Sequence, residues 1–151
     1  MTGRTRAWCA VSVAASLMVL VTAADPAWAD WGYAKLHQKL REGEKPRFVI
    51  DLAGCFDPAG RGGPAVVAIP SFSTYNLTPQ FIATSETHLF EDANGAMSLQ
   101  YVRLRIYPNG SADVGLKRLN PTSHEALAPL TVLRCRLDDG SISVRGEREP
   151  H

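Results

Sequence analysis

Two periodicities divide the chain. In DWGYAKLHQKLRE, residues 30–42, Tyr33, Leu36 and Leu40 recur at three- and four-residue steps, with Lys35, Gln38, Lys39 and Glu42 on the other faces. That spacing predicts a short amphipathic helix with Asp30 at its start. Gly43 and Pro46 stop it. From there the period falls to two. In FVIDLAGC, Phe48, Ile50 and Leu52 alternate with Val49, Asp51 and Ala53, which predicts a strand with one apolar face and Asp51 on the outer one. Gly54 then lets the chain bend before Cys55.

The residues 56–64, FDPAGRGGP, read as a loop. They lack the Lys-Ser/Thr ending of a phosphate cradle. Further strands are expected in AVVAI (65–69), FSTYNL (72–77) and QFIATSETHLF (80–90). SLQYVRLRIYP (98–108) alternates cleanly, with Val102, Leu104 and Ile106 on one face and Tyr101, Arg103 and Arg105 on the other, toward solvent. Asn109-Gly110 turns it into SADVGLKRL (111–119), a hairpin. NPTSHEALAP (120–129) is a loop with room for one helical turn, and LTVLRCRL (130–137) and SISVRG (141–146) are the last strands, joined at Asp138-Asp139-Gly140. The tail, 147–151, carries no pattern. About seven strands with short turns and one N-terminal helix predict a mainly β, antiparallel small barrel or sandwich.

The first 29 residues stand apart. Arg4 and Arg6 precede an uncharged apolar run over 7–24, and Ala27-Trp28-Ala29 has the small-x-small form of a signal-peptidase site. This tripartite pattern predicts a cleaved signal peptide, 1–29, and a single exported domain over 30–146, periplasmic or secreted, with no stable membrane span after cleavage. Without Arg4, Arg6 and Asp25 the chain keeps 14 basic and 14 acidic side chains. A formally neutral domain gives no reason to expect nucleic acid as a partner.

Export also changes the meaning of the cysteines. Cys9 leaves with the leader, so Cys55 and Cys135 remain. An even count in an oxidising compartment suggests a disulfide. It would close a loop of about 80 residues, for which chain entropy gives roughly 4 kcal/mol. The alternatives are two buried free thiols or one reactive cysteine; the last needs a base and an electropositive setting, and nothing near Cys55 in sequence supplies either.

Catalytic signals are sparse. No HExxH, CxxC or GxSxG occurs, and no cofactor motif is present. Ser85 and Ser98 lack a base at motif spacing, and the acidic pairs Glu91-Asp92 and Asp138-Asp139 fall in turns, where acids are favoured for conformational reasons. Glu86 and His88 share one strand face, and His124 with Glu125 lies in a loop that could reach them. A solvated strand face is the simpler reading of that pair; a metal-dependent enzyme or hydrolase using His88, Glu86 and His124 is the alternative.

Taken in order, the helix YAKLHQKLREGE, the strand VIDLAGC, the glycine-rich loop, the hairpin with YPNGSADV and LKRLNP, and the late cysteine in LRCRL resemble the VirK family of small exported bacterial proteins. The resemblance spans about 30–146. It implies association with virulence or host-associated loci, and it carries no catalytic residue, cofactor or substrate. Cys55 and Cys135 match the pair that looks characteristic of the family. The expectation is a non-enzymatic module that binds a protein or a small amphipathic ligand.

Overall fold

The computed structural model describes residues 31–91, 94–137 and 140–146. The expected signal peptide and C-terminal tail lie outside them, as do Asp30, Asp92, Asp138 and Asp139. The helix α1 runs Tyr33–Arg41 and starts at the extended backbone of Gly32. Its stripe meets the core as the spacing predicts: Leu36 is fully buried, with Tyr33 and Leu40 packed beside it. Trp31, two residues before the helix, is tied down as well, because its N–H donates to the Val144 carbonyl at 3.1 Å.

Eight strands follow: β1 (Pro46–Asp51), β2 (Val67–Ala68), β3 (Tyr75–Leu77), β4 (Ile82–Glu91), β5 (Met97–Ile106), β6 (Ser111–Leu119), β7 (Thr131–Arg136) and β8 (Ile142–Gly146). They form two antiparallel sheets, a small one in the order β2-β1-β8 and a large one in the order β3-β4-β5-β6-β7. The sheets do not close into a barrel; the architecture is a sandwich. Its core joins Phe48, Ile50, Ile142 and Val144 of the small sheet to Ile82, Leu104, Ile106, Val114 and Leu133 of the large one. Phe48 sits at its centre, edge-on to Phe72 at 5.5 Å and stacked on Tyr75 at 6.4 Å between ring centroids.

Strand β1 alternates as its sequence requires, with Pro46, Phe48 and Ile50 buried and Arg47 and Asp51 exposed. The exposed acid is structural: its Oδ1 accepts from the Ala53 N–H at 3.0 Å and caps one turn of 3-10 helix, Leu52–Gly54. That turn aims Cys55 across the sandwich, where it is bonded to Cys135 of β7. The disulfide therefore ties the segment leaving the small sheet to the large sheet. The loop after it is turn chemistry. Asp57 accepts from the Ala59 and Arg61 N–H groups at 2.9 Å each and from the Arg61 Nε at 2.7 Å. Those bonds, the Arg61 backbone first, hold its carboxyl below the ordinary range. Gly63 is set by close approach, since a Cβ there would lie 2.1 Å from the Leu52 carbonyl oxygen.

Three expectations change. The strands expected at 65–69 and 72–77 shrink to two and three residues. Pro64 and Pro70 remove ladder donors, and this segment crosses from the small sheet to the large one, so it stays in neither for long. The loop 120–129 forms hydrogen-bonded turns around Asn120 and no helix. Arg103 and Arg105 do share the outer face of the hairpin, but both are half-buried.

Candidate functional site

The register of the large sheet decides which side chains share its inner face. Cross-strand rows run Ile82–Ile106–Ala112–Cys135, then Thr84–Leu104–Val114–Leu133, then Glu86–Val102–Leu116–Thr131, then His88–Gln100–Arg118. The first two rows lie buried in the core. Burial then falls away: Val102 is buried, Leu116 and Gln100 are half-buried and His88 is exposed. Strands β4 and β5 are each ten residues long, against two, six and five in the small sheet. The far half of the inner face therefore forms the floor of an open groove.

The wall of the groove is the segment that runs from Val66 through β2 into the crossover to β3. It carries Val66, Val67 and Ile69, which are 50%, 59% and 62% exposed. With Leu52, Pro70, Val102 and Leu116 they line a cavity of about 450 Å³, whose polar members are Ser71, Glu86, His88 and Gln100. Glu86 latches wall to floor, its Oε2 accepting from the Ser71 N–H at 3.0 Å. Tyr75 lies close behind, its hydroxyl donating to the Phe72 carbonyl at 3.2 Å. Burial, and secondarily the Glu86 charge, push the Tyr75 phenol up to about 12.

Of the residues singled out in the sequence, Cys55 and Cys135 are joined, and Glu86 and His88 meet, with Oε1 and Nδ1 3.7 Å apart. That separation is longer than a hydrogen bond and is attractive only when the imidazole is protonated. His124 does not join them. Its loop folds back on itself at the end of β6, the His124 N–H donating to Asn120 O at 2.9 Å, with Ala126 bridged to Leu119. Among the described residues no three His, Cys, Asp or Glu side chains gather as a metal-holding group. Ser98 is buried with its Oγ accepting from Arg118 at 3.0 Å, while Ser85 lies exposed on the opposite face. Sequence reasoning missed the groove wall and Tyr75. The exposed aliphatics between Pro64 and Pro70 were the available signal.

A disulfide-stapled β-sandwich with a helix at its start and an amphipathic groove over one sheet is thus the class these features define. The family model described as VirK protein matches residues 32–124, and the chain belongs to the VirK family. Cys135, β7 and β8 lie beyond the matched segment. The fold recurs in the crystal structure of lpg1832, a VirK family protein from Legionella pneumophila, with a TM-score of 0.64 and 23% identity over 76% of this chain and 96% of that one. No curated relative matches the chain.

Proposed function

We propose that this VirK-family protein is an exported, non-catalytic binding domain that holds an amphipathic ligand in the groove over β4, β5 and β6, at the bacterial envelope or the host interface. The observation that carries the reading is the groove itself. Its volume of about 450 Å³ falls in the range of small-molecule sites, and its lining is aliphatic with a few convergent polar groups. The aliphatic wall suits an alkyl body. Glu86, with one oxygen held by the Ser71 N–H and the other facing His88, suits a hydrogen-bond-donating or cationic head. Export is supported by the leader-like N-terminus and by the Cys55–Cys135 bond, which persists in oxidising compartments. Among the described residues no helix is long and apolar enough to cross a membrane.

Calorimetric titration of the purified domain with dodecylamine, below its micelle concentration, tests the reading. One-to-one binding that is weakened by Glu86→Gln and abolished by Gln100→Trp, which fills the floor, supports it. Equal heats for all three proteins count against it. Elemental analysis addresses catalysis by metal: stoichiometric zinc that disappears in His88→Ala would replace the binding reading with the enzymatic one.

A further inference from the structure

The opposite face of the large sheet carries a second pattern. Register places Arg105, Asp113 and Arg134 in one cross-strand row, Ser85, Arg103 and Gly115 in the next, and Tyr101 beside Lys117 in the one after. Strand spacing sets each of these cations about 7–10 Å from its nearest neighbour. The domain is close to neutral overall, so the charge is segregated onto this face. None of Arg103, Arg105, Lys117 and Arg134 makes an ion pair with the described residues. Asp113, the acid among them, is engaged by the Tyr107 hydroxyl at 2.9 Å.

Two of the cations are held in place by packing. The Arg105 guanidinium stands 4.6 Å over the Phe81 ring centroid. Arg103 lies across Gly115, where an added Cβ would come within 3.4 Å of its Nε. In both residues the Nε is buried without a hydrogen-bond partner. A pocket of about 190 Å³ opens next to Arg103, bordered by Thr74, Asn76, Ser85 and Tyr101. Further along the same face the side chains turn aliphatic, with Leu89 55% and Met97 47% exposed, and Glu91 at the rim.

We infer that this face docks on an anionic lipid surface, with the Arg and Lys side chains on headgroup phosphates and Leu89 and Met97 against the acyl boundary. Charge complementarity selects the sign of the partner. The adjoining aliphatic strip favours a bilayer over a nucleic acid or an acidic peptide, neither of which rewards exposed Leu and Met beside the cations. The surface is distinct from the groove on the inner face, so the two can be occupied together.

Co-sedimentation with vesicles tests this. The expected result is binding to phosphatidylcholine vesicles containing phosphatidylglycerol but not to phosphatidylcholine alone, weakening as salt shortens the screening length. Removing each cation in Lys117→Gln and Arg134→Gln should weaken binding about fivefold, and Leu89→Ser should weaken it without changing its salt dependence. Arg103→Gln should weaken binding about fivefold while Arg103→Lys, which keeps the charge, retains it, and circular dichroism on each variant reports that the fold is intact. Equal binding to neutral and anionic vesicles overturns the inference. So does binding of inorganic phosphate or polyglutamate by a protein that leaves anionic vesicles untouched.

Discussion

Replacing both Cys55 and Cys135 by Ala removes the covalent tie between the two sheets while leaving the helix, the hairpin and every other core residue in place. The bridged positions are 80 residues apart, and the chain-entropy relation for a loop of that length gives about 4.5 kcal/mol at room temperature. Both sulfurs are buried, Cys55 completely, so the lost packing adds to that figure. Small domains have urea m-values of about 1–3 kcal/mol/M, and a loss of this size therefore lowers the urea midpoint by roughly 1.5–4.5 M. It is also a large share of the about 5–15 kcal/mol that holds a typical domain folded. The assay is equilibrium urea unfolding followed by circular dichroism, with the oxidised protein, the reduced protein and the double-Ala variant compared at one temperature. The oxidised protein should unfold at far higher urea than the other two, with the double-Ala variant lowest because it also loses the buried sulfurs. Coincident curves for all three would refute the reasoning, because they would mean that the sulfurs do not constrain the unfolded chain. Native-state thiol labelling at both positions would refute it independently.

The remaining predictions concern other joints of the fold. The Tyr75 phenol is raised to about 12 by burial and by Glu86, above the unfolded value of about 10. Its contribution to stability is therefore complete below pH ~10 and lost as pH rises through about 12. Ultraviolet titration should show one late-ionising tyrosine that Tyr75→Phe removes, and an unchanged profile in that variant would contradict the assignment. Gly63→Ala drives a methyl into the Leu52 carbonyl, 2.1 Å away, and should cost about 1–3 kcal/mol in denaturant unfolding; a neutral effect would show that the loop relaxes freely. Leu36 is fully buried between α1 and the sandwich, so Leu36→Ala should cost about 2–5 kcal/mol. A negligible loss would mean that the helix is not part of the cooperative unit.

Local patterning made some of this architecture legible in the sequence and hid the rest. The β5–β6 hairpin follows from alternation plus Asn109-Gly110, and the exposure of Asp51 follows from its parity with Phe48 and Ile50. The Cys55–Cys135 bond followed from an even cysteine count together with the expectation of export, which are readings of the whole chain. The strands expected at 65–69 and 72–77 were read too long, since Val66, Val67, Ile69 and Phe72 have strand-like composition and local propensity does not encode a change of sheet. The groove was hidden for the same reason. It exists because the large sheet's strands outrun those of the small one, and no single stretch of sequence records that difference. Glu86 and His88 were visible as a pair, but the Ser71 latch and the nearby Tyr75 are partners from 11 to 17 residues away, brought in by the crossover. His124 shows the converse. Its loop was free to reach the pair on sequence grounds, and the hydrogen bonds around Asn120 close it elsewhere.

Amide chemical-shift mapping during titration with dodecylamine tests the groove most directly. Occupancy of the groove predicts that Val67, Ser71, Glu86, His88 and Gln100 shift together, saturate at one equivalent and stop responding in Gln100→Trp. Shifts that never saturate, or that fall on the arginine-bearing face and leave these five residues still, would contradict a ligand site between the crossover and the large sheet.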